Sequence, residues 1–246
     1  MKYEEASWYS YRLNREMRIK IYGHYGPAFV AFPCQGKQSD DFHNNGMIDT
    51  LKEYLENGKI KLYCLDSNDD ETVSSTSWDK GYRSYKLEMY HQYFVNEALP
   101  FIRNSQGGDS EIYLIGMSMG ASHAFNNFLR RPELYSGCIA LSGAYNMAPF
   151  YDGYIDEHIY NNSPILFLAN MDNNHSYIGI YNSKKVFVEV GNGAYEYLVR
   201  DDNVRVAEIC REKGIHFDFN FWDENSIHDW CSWKYALPYF IDKIIK

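Results

Sequence analysis

The sequence predicts an α/β fold: a mostly parallel central sheet with helices on both faces and an antiparallel hairpin at the N terminus. Three observations predict it. Apolar runs of strand length alternate with segments of helical periodicity along the 246 residues, the order that parallel βαβ units produce. Near the N terminus Met17, Ile19 and Ile21 alternate with Glu16, Arg18 and Lys20, the period-two pattern of a half-exposed strand. Finally, Gly116-Met117-Ser118-Met119-Gly120 lies between an apolar run and a helical segment, a strand–turn–helix unit with a serine at its apex.

The elements follow in order. Trp8 to Leu13 pairs with the Met17 strand across a turn at Asn14-Arg15. Ala28 to Phe32 is a continuous apolar run, typical of a strand buried on both faces. Met47, Ile48, Leu51, Tyr54 and Leu55 recur at helical spacing, and Asn57-Gly58 stops that helix. Ile60 to Leu65 is a strand, and Tyr85 to Ile102 a long helix carrying Leu87, Tyr90, Phe94 and Leu99. Ile112 to Ile115, preceded by the polar Asp109 and Ser110, is a strand feeding a helix from Ala121 to Arg131. Cys138 to Leu141 is a further strand. Tyr145 to Asn182 is rich in Tyr, Asn and Asp and reads as an irregular excursion near the mouth of the site. Regular alternation returns with a strand at Val186 to Val190, a helix at Asp202 to Lys213 closed by Gly214, an alternating strand through Ile215, Phe217, Phe219 and Phe221, and a last helix from Trp233 to Ile245. No repeat, low-complexity tract or linker interrupts this order, so residues 1–246 read as a single domain.

Composition narrows the function. A net charge of −9 argues against a nucleic-acid groove or an anionic membrane surface as partner. No stretch is apolar for long enough to span a bilayer, and MKYEEASWYS has no apolar core of a signal peptide. The five cysteines form no C-x-x-C pair, and Cys64 and Cys138 lie in apolar runs as buried thiols; this usage suits a reducing, cytoplasmic setting. The 23 tyrosines suit a polar cleft wall, because the side chain has an apolar body and a polar tip; genomic base composition accounts for them equally well.

The chemistry centres on Ser118. A strand, a tight turn and a helix around G-x-S-x-G are the context of the nucleophile elbow of α/β-hydrolases. The turn holds its serine in a strained conformation, and a Cβ on either flanking residue would strike the neighbouring strand or helix. A serine hydroxyl needs a base within hydrogen-bond reach, and the base needs an orienting carboxylate. His228, in a loop between the last strand and the last helix, fits the base. His24, His43 and His91 precede the elbow, His123 is inside the elbow helix, His158 and His175 lie in the excursion, and His216 sits among alternating strand residues. The acid should follow the strand Val186 to Val190; by spacing, Glu196, Asp201 and Asp202 all qualify. Asp172 qualifies if the apolar run Ile165 to Ala169 is the relevant strand, whereas Asp223 and Asp229 are too close to His228 in sequence. One oxyanion donor is the backbone N–H of Met119, and the second comes from the loop Pro33-Cys34-Gln35-Gly36.

The ending His228-Asp229-Trp230-Cys231-Ser232-Trp233, read as H-D-W-x-x-W, resembles the "putative esterase" family of α/β-hydrolases, which includes S-formylglutathione hydrolases, enterochelin esterases and mycolyltransferases. The likeness runs through Phe32-Pro33 to Gly46-Met47-Ile48-Asp49, Leu141-Ser142-Gly143, and Gly191-x-Gly193-Ala194-Tyr195-Glu196, which is similar to the family's G-x-G-x-W-E with Tyr195 in place of Trp. The resemblance implies Glu196 as the acid. It also implies Gln35 N–H as the second oxyanion donor, although Cys34 stands where the family often has Gly. Cys34 and Trp230 are read as pocket residues.

The resulting expectation is a cofactor-free serine hydrolase of carboxylic esters, with Ser118, His228 and Glu196 acting through an acyl-enzyme. The expected partner is a small-molecule ester, such as an acylated sugar or an aromatic ester. Two rivals are an acyltransferase of the mycolyltransferase type and a binding protein that keeps the fold without chemistry. No metal is expected. The acidic stretch Asp66 to Glu71 has the composition of a calcium loop but lacks its glycine and has Ser77 where the loop needs Glu, and Asp172 and His175 have no partners at metal spacing.

Overall fold

Eight strands form one sheet: β1 (Tyr3–Ser10), β2 (Arg15–Tyr22), β3 (Ala28–Phe32), β4 (Lys61–Leu65), β5 (Ile112–Met117), β6 (Gly137–Leu141), β7 (Lys185–Val190) and β8 (Asp218–Phe221). Their order is β1-β2-β4-β3-β5-β6-β7-β8; β1 and β2 pair antiparallel with each other, β2 pairs antiparallel with β4, and every pair from β4 to β8 is parallel. The computed structural model describes residues 1–108 and 110–245; Asp109, one of the polar residues before the elbow strand, and Lys246 lie outside the described residues.

Side-chain alternation decides the layering. Ala28, Val30 and Phe32 of β3 enter one core while Phe29 and Ala31 enter the other; Ile112 and Leu114 of β5 share the first, and Tyr113, Ile115 and Met117 the second. Successive strand residues point to opposite faces, so these continuously apolar runs need cover on both. One face is covered by α1 (Asp41–Asn44), α2 (Met47–Thr50), α3 (Lys52–Glu56) and the last helix, α11 (Trp230–Ile245). The other is covered by α4 (Lys80–Tyr93), α5 (Leu99–Ser105), α6 (Met119–Arg130) and α10 (Arg200–Glu212).

Several elements differ from the sequence expectation. The first hairpin strand ends at Ser10, and residues 11–14 form the turn, closed by Asn14 N–H donating to Ser10 O (2.7 Å). Asn14 is at φ 56°, a conformation that Asn tolerates, and Leu13 drops from the turn into the core. The expected helix over 47–55 is two short helices, α2 and α3. The long helix is continuous from Lys80 to Ser105 but passes through a π turn at Phe94–Ala98. Pro100 accounts for that turn, because its ring collides with the carbonyl of the residue four positions before it in a regular helix. The excursion is helical: α7 (Glu157–Asn161), α8 (Pro164–Asn170) and α9 (Tyr177–Asn182). The apolar run Ile165 to Ala169 therefore belongs to α8, opened by Pro164 at its first position. β8 begins only at Asp218, so His216 lies in the preceding loop. Some of the tyrosines serve the core, Tyr63, Tyr90, Tyr93, Tyr113, Tyr145, Tyr151 and Tyr181 being among the largest fully buried side chains, while others, such as Tyr11, Tyr25 and Tyr197, are exposed.

Because β3, β5, β7 and β8 run parallel, their C-terminal ends open onto the same edge of the sheet, where α/β folds collect their functional loops.

Candidate active site

Ser118 links β5 to α6 at φ 53°, ψ −126°, a positive φ that a non-glycine residue holds only when its surroundings impose it. The flanking glycines permit the tight crossing. A Cβ on Gly116 would lie 2.2 Å from the Gly120 carbonyl, and one on Gly120 would lie 2.2 Å from Phe32 O of β3. Ser118 N–H donates to Leu141 O at the end of β6 (2.9 Å), which fixes the apex over the strand ends.

The loops after β7 and β8 are laced together. Gly193 N–H donates to Ser226 O (2.8 Å), His228 N–H donates to Ala194 O (3.0 Å), and a Cβ on Gly191 would meet Ser226 O at 2.1 Å. This brings the Glu196 and His228 side chains together. His228 Nε2 is 2.9 Å from Ser118 Oγ, and its Nδ1 is 3.3 Å from Glu196 Oε2. The latter distance is long for a charge-assisted bond. None of the other candidate acids is hydrogen-bonded to His228. Asp172 accepts from Asn174 N–H in an exposed turn, and Asp201 is exposed in the first turn of α10. Asp202 Oδ2 accepts from the N–H groups of Tyr145 (2.7 Å) and Asn146 (3.0 Å), Asp223 from Asn225 N–H, and Asp229 from Cys231 N–H.

The loop after β3 is held by two acids. Asp41 Oδ2 accepts from Cys34 N–H (2.9 Å), and Asp69 Oδ2 accepts from Gly36 N–H (3.0 Å). Asp69 is fixed in turn by His123, whose Nε2 is 3.1 Å from its Oδ1. The N–H of Gln35, between the two tethered amides, has no acceptor among the described residues, and neither has the N–H of Met119. Gln35, Ser118, Met119 and His228 all line one cavity of about 290 Å³, walled by Ala144, Pro149, Phe150, Leu198 and Val199, with Asn146 and Asp202 as polar members. Cys34 and Trp230, expected in the pocket, do not line this cavity. Cys34 Sγ donates to Met117 O (3.6 Å), and burial, then the neighbouring Asp41, holds its thiol well above the usual range. Trp230 packs edge-on against Phe42 and Trp233 beneath the site. The acidic stretch after β4 also serves as bracing: Asp66 accepts from the N–H groups of Arg18 and Ser39.

Three further residues have no role in the sequence reading, although two of them, Ser142 and Trp233, stand in the motifs quoted there. Ser142, at φ 53° after β6, donates its Oγ–H to Glu196 Oε1 (2.7 Å) and accepts from Trp233 Nε1–H (3.1 Å). Behind them lies Glu189 of β7, 1% exposed, with Oε1 accepting from Ser226 Oγ–H (3.3 Å) and Oε2 without a partner among the described residues. Burial, and then the nearby Glu196, raises the Glu189 carboxyl to about 8. An unfolded glutamate releases its proton near ~4.3, so between there and about 8 the native state binds the extra proton. This group's contribution to stability therefore falls as pH rises through that window. Glu189→Gln is expected to raise the melting temperature by several degrees at pH 8 and to change it little at pH 4, read by thermal unfolding; an equal shift at both pH values would remove charge as the cause.

The fold recurs in known structures. A ferulic acid esterase superposes with a TM-score of 0.77 at 17% identity, covering 99% of this chain and 98% of that one. MPT51 of Mycobacterium tuberculosis gives 0.72 at 13% identity, covering 100% and 98%. An S-formylglutathione hydrolase of Staphylococcus aureus gives 0.71 at 10% identity, covering 100% and 96%. At such identities the likeness establishes the fold. No curated protein matches the sequence. The profile of the family described as "Putative esterase" does match, over residues 10–241, a span that holds the elbow, the laced loops and the tethered β3 loop, and the chain belongs to that family.

Proposed function

We propose that the protein is a serine hydrolase of carboxylic esters that works through an acyl-enzyme. The observation that carries this reading is the alignment of Ser118 Oγ, His228 Nε2 and Nδ1, and Glu196 Oε2 at successive distances of 2.9 and 3.3 Å. Ser118 Oγ attacks the ester carbonyl while His228 Nε2 takes its proton. Glu196 keeps the other imidazole proton on Nδ1 and stabilises the imidazolium that forms. The charge on the carbonyl oxygen is met by the N–H groups of Gln35 and Met119, a reading supported by their lack of acceptors among the described residues and their place in the lining of the Ser118 cavity. Collapse of the tetrahedral intermediate expels the alcohol, which takes the proton from Nε2. Water then repeats the sequence on the acyl-enzyme, releasing the acid and restoring Ser118. Each step is served by side chains and main-chain donors of this chain, and the reading invokes no cofactor.

A cavity of about 290 Å³ with mostly apolar walls suits a short acyl chain or one aromatic ring better than a long lipid. No tyrosine is among its lining residues, so a preference for aromatic or acylated-sugar esters rests on Phe150 and the polar pair Asn146 and Asp202. The test is labelling with a fluorophosphonate probe followed by peptide mass spectrometry. The expected result is one adduct, on Ser118. A protein that stays unlabelled while folded would leave only a binding role.

A further inference from the structure

The wall residue Phe150 has a second side. It also lines an adjoining groove of about 500 Å³, together with Ser74, Ser75, Trp78, Lys80 and Arg83. The groove is joined to the β3 loop as well, because Gln35 Nε2–H donates to Ser74 Oγ (3.1 Å).

Arg83 is the unusual member. It is 6% exposed and lies with its guanidinium 4.5 Å from the centre of the Tyr151 ring. Its Nε–H donates to Thr72 O (2.8 Å) and an Nη2–H to Phe150 O (2.8 Å), so it ties the two rims of the groove together. Both acceptors are neutral carbonyls. Among the described residues Arg83 has no carboxylate partner, and Nη1 has no acceptor, yet Nη1 is not among the atoms sealed from solvent. Neither acid of the groove pairs with Arg83: Asp79 Oδ1 caps α4 by accepting from Tyr82 N–H (2.9 Å), and Asp152 Oδ2 is 3.1 Å from Lys80 Nζ. A buried cation without a counter-charge is costly, and a guanidinium edge with free N–H groups matches a carboxylate.

We propose that this groove is a subsite for a carboxylate borne by the substrate, anchored on Arg83 Nη1, with the ester bond held in the neighbouring cavity at Ser118. The proposal rests on the ester-hydrolase reading for the position of the scissile bond, but the subsite itself is testable without turnover. Trp78, exposed at the outer wall, would cover the chain that joins the carboxylate to the ester.

Two matched pairs locate the carboxylate. The mono-p-nitrophenyl ester of glutaric acid against p-nitrophenyl valerate tests the acyl side; 4-acetoxybutyrate against butyl acetate tests the alcohol side. The wild type is expected to favour the charged member of one pair by roughly tenfold in kcat/KM, the scale of a hydrogen bond to a charged partner, and Arg83→Met is expected to abolish that ratio. Calorimetric titration of glutarate into Ser118→Ala gives a readout independent of catalysis and of whether Arg83→Met folds. Binding that weakens with added salt supports the subsite. No binding, or equal or better turnover of both neutral esters, overturns it. If glutarate binds while no ester is turned over by the wild type, the subsite stands and the esterase reading falls.

Discussion

Ser118→Ala is expected to fold normally and to lose hydrolysis of a short-chain p-nitrophenyl ester by ~10³-fold or more, the scale of removing a triad nucleophile. The reason is geometric. Ser118 Oγ is the group 2.9 Å from His228 Nε2, and the cavity lining contains no other hydroxyl or thiol, Cys34 being turned towards Met117 O. The alanine keeps the positive φ of the elbow and so keeps its strain. Ser118→Gly removes the hydroxyl and the strain together, and is expected to be as inactive but more stable by about 1 kcal/mol, read by urea unfolding. Wild-type turnover by a cleanly purified Ser118→Ala would reject the serine mechanism.

Glu196→Gln is expected to leave the fold intact and lower kcat by ~10²-fold or more, because an amide N–H facing Nδ1 favours the imidazole tautomer that carries its proton on Nε2 and cannot act as base. Asp172→Asn and Asp201→Asn should do little, since both carboxylates are exposed and neither is hydrogen-bonded to His228. The same chain of bonds predicts a graded series. Trp233→Phe removes the N–H that fixes Ser142, and Ser142→Gly removes the hydroxyl that fixes Glu196 while suiting the left-handed backbone there. Each should lower kcat by less than Glu196→Gln does. A crippling Asp172→Asn would instead move the acid to the helical excursion and sink the assignment of Glu196.

Much of the architecture was legible because its signals are local. β3 and β5 read as buried strands since every residue in them is apolar or glycine, and β7 departs from that pattern chiefly at Glu189, the buried carboxyl behind the site. The helical periodicity of the long helix is legible, but not its π turn, which depends on how the chain relaxes around Pro100. The excursion misled for a related reason: Ile165 to Ala169 suits a strand or a short helix equally in periodicity, and only Pro164 and the packing of Ile165 and Phe167 on the core separate the two. Cys34 and Trp230 sit close in sequence to Gln35 and His228, which line the cavity, yet neither of them lines it.

Strand order along the chain, the glycine-flanked serine and the histidine before the last helix are properties of short segments, set by backbone sterics and by the periodicity of apolar residues. They were therefore readable from the amino acids alone. Which carboxylate reaches His228, which amides beside Ser118 have no acceptor, and which cation has no carboxylate partner among the described residues are decided by contacts between distant parts of the chain. Ser142 meets Glu196, Trp233 meets Ser142, Asp69 meets Gly36 and Arg83 meets Phe150 only once the sheet has closed. Side-chain hydrogen bonds of this kind act over about 3 Å, so a sequence can name the candidates but only tertiary packing selects among them.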